Sequence, residues 1–208
     1  MDLTYLLSKS FLIIQLLSCI AAIFYWKNYK NTPLWIFFPL LLYTAINEVS
    51  IQVLMKSGVI TSPRMFYNVY SVISFLAYLY WFDKILKLKY WKWMILVVFL
   101  AATTYDLIQE QEVKQLFKVG LITQAILILS FSVVYFSRLL NEDRVIHYWR
   151  IPEFWFILGL LTFYVGFTPL LLMTGLELGI NRVYSISINI LNLILYGCYI
   201  IGFYVTAK

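Results

Sequence analysis

The sequence predicts an all-α fold, a polytopic membrane protein built as a seven-transmembrane-helix bundle with the N-terminus outside and the C-terminus in the cytoplasm. Three observations carry this. Hydrophobic residues fill 62% of the 208 positions and charged residues only 12%, about half the charged share of an ordinary soluble domain. The apolar residues gather in seven runs, each close to the roughly 20 residues that a helix needs to cross the hydrocarbon of a bilayer. The Lys and Arg residues concentrate in the short joints between these runs, where flanking charge belongs in a membrane protein.

Span one covers residues 4–26 and ends at the basic joint Lys27, Asn28, Tyr29, Lys30. It has no basic segment ahead of its apolar core and no small-x-small cleavage site after Trp26, so it reads as a retained span rather than a secretory signal peptide. Span two covers 33–55, and a joint with Lys56, Gly58, Pro63 and Arg64 leads to span three, 65–82. The next joint is the most basic, with Asp83, Lys84, Lys87, Lys89 and Lys92. Span four, 91–108, precedes the mixed segment 109–118 with Glu110, Glu112, Lys114 and Lys118. Span five, 119–136, is followed by Arg138, Arg144, His147 and Arg150. Span six, 152–173, and span seven, 183–205, are separated by residues 175–182, and the whole of 1–208 reads as one transmembrane domain.

With spans alternating in direction, the joints after spans one, three and five plus the C-terminus hold ten Lys and Arg, against six on the other side. The positive-inside rule then places the N-terminus out and the C-terminus in. The aromatic pairs Tyr25-Trp26, Tyr80-Trp81 and Tyr148-Trp149 fall where an inner interface belt is expected. The same placement of charge explains the net +6 without nucleic acid, which is not expected as a partner.

Several chemistries are excluded by what is missing. Cys19 and Cys198 both sit inside spans, so no disulfide framework and no CxxC motif can be read. The single histidine, His147, lies in a joint, so neither a multi-histidine zinc site nor a bis-histidine haem is expected in the membrane. Span seven has no interior lysine to anchor a retinal. No P-loop, HExxH or GxSxG pattern occurs. No catalytic residue, metal or cofactor is predicted, and the chain does not read as an enzyme.

The informative positions are the polar ones inside the spans, because each costs a few kcal/mol to place in hydrocarbon. Glu48 falls roughly 10 Å from the outer end of span two and Asn189 roughly 9 Å from the outer end of span seven, at about 1.5 Å per residue. Lys9 and Gln15 of span one, Asn68 of span three, Asp106 of span four, Gln124 of span five and Thr168 of span six belong to the same outer half. Thr44, Glu48 and Gln52 recur every four residues on one helix face, as do Ser185, Asn189, Asn192 and Tyr196. Asp106 shares a stripe with Thr103 and Glu110, and Pro169 removes a backbone donor from span six.

Together these predict an outward-facing polar cavity with Glu48, Asn189, Asn192, Gln124, Asp106, Asn68 and Lys9 as its candidate ligand-binding residues. The plainer explanation of the amides is interhelical hydrogen bonding, worth about 0.6 kcal/mol each. Glu48 demands more, since a carboxyl group at that depth must be protonated, paired or hydrated, with Lys9 as the basic residue in an outer-half span. Glu153 opens span six as an ordinary N-terminal charge. Gly159, Thr162 and Gly166 form a strip of small residues that lets a neighbouring helix approach.

The segment Pro152-Glu153-Phe154-Trp155-Phe156, followed by Gly159, Phe163-Tyr164 and Gly166, and then Asn189-Ile190-Leu191-Asn192, resembles a family of small, uncharacterised seven-transmembrane-helix proteins of Bacteroidota. That family shares a proline-x-phenylalanine-tryptophan start to span six, an acidic residue in span two and an asparagine-bearing last span. The resemblance implies a multi-pass protein of the bacterial inner (cytoplasmic) membrane and, from relatives encoded beside two-component signalling proteins, a signalling partner. It implies no settled activity. The expected function is a receptor or sensor-like module in the lipid bilayer that signals through a membrane or cytoplasmic partner protein. The alternatives are a small-solute or proton-coupled transporter with Glu48 as the proton carrier, and a structural subunit of a membrane complex.

Overall fold

In the computed structural model the described residues are 3–109, 116–141, 143–174 and 181–207, with the side chains of 3–9, 143–146, 174 and 181–182 left aside. They are mostly helical, with no strand among them. The α-helices are α1 (Leu3–Phe24), α2 (Trp26–Tyr29), α3 (Phe37–Lys56), α4 (Arg64–Leu86), α5 (Trp91–Gln109), α6 (Lys118–Leu140), α7 (Pro152–Thr174) and α8 (Asn181–Val205). Short 3-10 turns cover Pro33–Ile36 and Asp143–Arg150.

Six segments have the length and apolar content to cross a membrane: Pro33–Lys56, Arg64–Leu86, Trp91–Gln109, Lys118–Leu140, Pro152–Met173 and Val183–Val205. They match predicted spans six and seven and lengthen spans two to five by a few residues. The apolar stretch Ser10–Phe24 of α1 is shorter. Their outward faces are apolar as well: Val97, Ile108, Val133 and Val165 are all more than half exposed. In water such continuous exposed apolar surface is unfavourable, whereas against lipid it is the required surface. The chain is a membrane-embedded helical protein.

Two compact units are present, Met1–Trp35 with Ile128–Lys208, and Ile36–Leu127, and α6 contributes its first part to the second of these and its remainder to the first. In the unit Ile36–Leu127, α3 and α4 are joined by a tight loop in which Gly58 adopts φ +72°, a left-handed conformation that glycine takes without a Cβ clash. The antiparallel pair closes on Phe37, which meets Trp81 edge to face at 4.8 Å and Tyr78 at 6.2 Å. Phe75 of α4 stacks on Phe99 of α5 at 3.9 Å, and all four aromatics named first or last here, Phe37, Trp81, Phe75 and Phe99, are fully buried.

In the other unit α8 packs against both α1 and α7, its most extensive partners. Tight approach of α7 and α8 follows from the small residues. A Cβ on Gly159 would lie 2.9 Å from the Cys198 Cβ and 3.3 Å from the Leu195 carbonyl oxygen, and one on Gly166 would meet the end of the Leu191 side chain. The predicted role of this strip in helix approach is therefore met at both glycines. Phe156 and Tyr199 stack at 5.0 Å, with Phe203 edge-on to Phe156. Tyr29 of α2 is fully buried, donates its hydroxyl proton to the Ala22 carbonyl oxygen at 2.7 Å and lies against Phe203; burial pushes its phenol above the usual value. Cys19 and Cys198 are both buried, and neither is in a disulfide. Pro169 is accommodated within α7 without ending it.

Candidate functional site

The unit Ile36–Leu127 carries a dense polar arrangement on two adjoining faces of α4. One of them meets α3. Thr44 and Glu48 are one turn apart on α3, and the antiparallel pairing sets Glu48 opposite Tyr67 and Thr44 opposite Tyr70. The half-buried Glu48 carboxyl is hydrogen-bonded to the Tyr67 hydroxyl and lies within electrostatic range of Tyr70. The Tyr70 hydroxyl is hydrogen-bonded to Thr44 and Tyr78, and its ring lies nearly parallel to that of Tyr43, with centroids 6.2 Å apart. Thr44 donates its own hydroxyl proton to the Leu40 carbonyl oxygen at 2.7 Å, which leaves its oxygen as an acceptor for Tyr70. Two hydrogen-bonded sets, Glu48 with Tyr67 and Tyr70 with Thr44 and Tyr78, thus lie side by side between two membrane-length helices, linked by the electrostatic interaction of Glu48 with Tyr70.

The adjoining face of α4, with Asn68, Ser71 and Ser74, meets the start of α6. An α-helix begins with backbone N–H groups that have no partner inside the helix, and in hydrocarbon that lack is costly. Here two distant side chains supply the acceptors. Asp106 of α5 takes the Val119 N–H on Oδ1 at 3.2 Å and the Gly120 N–H on Oδ2 at 2.7 Å. Asn68 of α4 takes the Phe117 N–H on Oδ1 at 3.0 Å. The carboxylate also sits where the positive end of the helix dipole favours it. Gly120 is what permits the approach, because a Cβ there would come within 2.9 Å of the Thr103 methyl and 3.3 Å of Asp106 Oδ2. One turn further, Gln124 Nε2 donates to Ser74 Oγ at 3.4 Å, and Ser74 and Ser71 donate in turn to the Ser71 and Asn68 carbonyl oxygens.

The predicted site residues therefore divide. Asn68, Asp106 and Gln124 are brought together, all buried, around the first turns of α6. Glu48 is in the same unit, on the α3 side of α4. Asn189 and Asn192 belong to the other unit, and each donates its side-chain amide to its own helix, to the Ser185 carbonyl oxygen at 2.7 Å and the Ile188 carbonyl oxygen at 2.9 Å. Thr168 does the same with the Tyr164 carbonyl oxygen at 2.6 Å. Of the predicted stripe on α3, Gln52 is exposed while Thr44 is buried, so the polar face narrows to Thr44, Asn47 and Glu48. Gln15 on α1 is 1% exposed, and its Nε2 meets no hydrogen-bond partner among the described residues. Lys9, as a side chain, and Glu110 lie outside the described residues.

The tyrosines around Glu48 were not singled out by sequence. Their signal is the recurrence of Tyr67, Tyr70, Ser74 and Tyr78 at helical spacing on one face of α4, opposite the acidic face of α3. With the geometry in place, comparison with known proteins adds nothing further: no family model, no curated protein and no solved structure matches the chain.

Proposed function

We propose that the chain is a seven-span protein of a bacterial inner membrane, N-terminus out and C-terminus in, that acts as a receptor or sensor-like module and passes its state to a partner protein. Glu48 is its responsive group. The observation that carries this is the cluster itself: a half-buried carboxyl on a membrane-spanning helix, hydrogen-bonded to Tyr67 and beside a Tyr70 that is tied to Thr44 and Tyr78. A carboxyl group in a span is costly unless it is compensated, and one kept there is read first as a functional position. Because its partners lie on a different helix, gain or loss of a proton, or arrival of a ligand bearing a donor or a positive charge, changes the bonds that join α3 to α4. A ligand shifts a conformational equilibrium only through such differential contacts.

The transporter reading finds support in one feature. From Tyr70 the hydrogen bonding continues to Tyr78, two turns deeper along α4, the direction that a proton leaving Glu48 would follow. The capping of α6 by Asn68 and Asp106 favours a structural part for those two residues whichever reading holds.

Thermal unfolding of the detergent-purified protein across a pH series, and with small amines and polar solutes added, tests the sensor reading. Wild type is expected to show a pH- or solute-dependent shift in Tm that Glu48→Gln abolishes and Tyr67→Phe reduces. Identical behaviour of wild type and Glu48→Gln would make Glu48 a structural residue and put the membrane-subunit reading first. Proton flux into liposomes, lost in Glu48→Gln, would instead establish the transporter.

A further inference from the structure

We propose that the joint between α4 and α5 is a headgroup site for anionic phospholipid. The joint is short and unusually shaped. α4 ends at Leu86, Lys87 takes a left-handed conformation at φ 53° with its N–H on the Asp83 carbonyl oxygen at 2.9 Å, Lys89 is left-handed again at φ 51°, and α5 begins at Trp91. Left-handed backbone is uncommon for residues with a Cβ, and using it twice in three residues turns the chain back at once, so that two membrane-length helices end beside one cluster of lysines.

The charge of that cluster is unbalanced. Lys84, Lys87, Lys89 and Lys92 face a single acidic residue, Asp83. Asp83 is already engaged, with Lys92 Nζ at 3.1 Å from its Oδ2, a bond that also ties the end of α4 to the first turn of α5. Lys84 lies over the Tyr80 ring at 5.6 Å. Lys87 and Lys89 are exposed and have no acidic partner among the described residues.

Around them the surface changes abruptly to aromatic and then to apolar. Tyr90, Trp91 and Trp93 are 88%, 64% and 63% exposed, and such rings with a polar edge settle at the headgroup level of a bilayer. Beyond them along α5, Met94, Val97 and Val98 are exposed, a surface for acyl chain. Two cationic side chains above an aromatic collar and an apolar strip fit a phosphate carrying net negative charge and attached to hydrocarbon. In a zwitterionic lipid the phosphate is already offset by its own cation, and free phosphate has no chain to lie on the strip. The occupant is therefore an anionic glycerophospholipid, and the proposal stands apart from the reading of Glu48.

Native mass spectrometry of the full chain in detergent, titrated with phosphatidylglycerol or with phosphatidylcholine of the same acyl chains, tests this. Wild type is expected to bind phosphatidylglycerol in preference, with a large excess of inorganic phosphate leaving it bound. The double variant Lys87→Gln, Lys89→Gln is expected to weaken that binding by about fivefold for each lysine removed. Lys27→Gln, Lys30→Gln, which removes the same charge from a different joint, keeps the preference, and so does Lys87→Arg, Lys89→Arg, which reports on binding if the glutamines disturb folding. Equal binding of the two lipids would overturn the proposal, as would a preference that survives the glutamine pair or falls equally in the Lys27 and Lys30 control.

Discussion

At the scale of single residues, the clearest assignment is that of Asp106. Its two carboxylate oxygens each hold a backbone N–H of α6, so it acts as a helix cap supplied from another helix, and the energetic consequence follows from capping. Asp106→Ala is expected to cost about 1–2 kcal/mol, seen as a drop of several degrees in Tm, and Asp106→Asn, which keeps one acceptor oxygen, is expected to cost less. Equal melting of all three proteins would remove the cap from the account. Sequence alone placed Asp106 among the candidate ligand-binding residues of an outer polar cavity and could not read its capping role, because the groups it serves are backbone N–H groups, which carry no residue signature. Glu48 was legible for the opposite reason: an ionisable side chain inside an apolar run stands out wherever it falls. Its tyrosine partners were hidden among seventeen tyrosines, most of which meet the ordinary needs of core and interface. Asn189 and Asn192 show the limit of stripe arguments. Their spacing correctly put them on one face, yet their amides turn back onto their own helix.

At the scale of elements, hydropathy located six of the seven expected spans closely, those from two to seven, because apolar length is itself the physical requirement for crossing. What it missed is local and depends on backbone geometry: the separate turn α2 at Trp26–Tyr29, the 3-10 turn at Pro33–Ile36 and the left-handed exit of α4. The strip of small residues on α7 was also readable, and its meaning can be separated position by position. A side chain at Gly159 runs into the Cys198 Cβ and the Leu195 backbone, neither of which can swing aside, whereas at Gly197 nothing lies within 4 Å. Gly159→Val is expected to destabilise by about 1–3 kcal/mol through overpacking. Gly197→Ala is expected to be neutral or to stabilise by up to about 1 kcal/mol through helix propensity. Denaturation of the two variants under one set of conditions checks both, and a Gly159→Val protein as stable as wild type would show that α7 and α8 do not approach as described.

At the scale of the whole molecule, six segments have the length and apolar content to cross a membrane, and the proposed topology adds α1 as a seventh, its 22 residues reaching about 33 Å at the helical rise. The distribution of Lys and Arg is the basis of the proposed N-out, C-in direction. The functional proposal leans on that topology, because it is what assigns Glu48, Asn68 and Asp106 to the outer half of the membrane, away from the basic joint at Lys84–Lys92. An odd number of crossings separates the termini and an even number unites them. The most direct measurement is therefore the sidedness of both ends in cells, read with a reporter active only outside the membrane and one active only inside, each fused in turn to the N-terminus and to the C-terminus. The expected result is an external N-terminus and a cytoplasmic C-terminus. Both termini on one side would contradict seven crossings, and a cytoplasmic N-terminus with an external C-terminus would place Glu48 in the opposite leaflet and remove the outward-facing site.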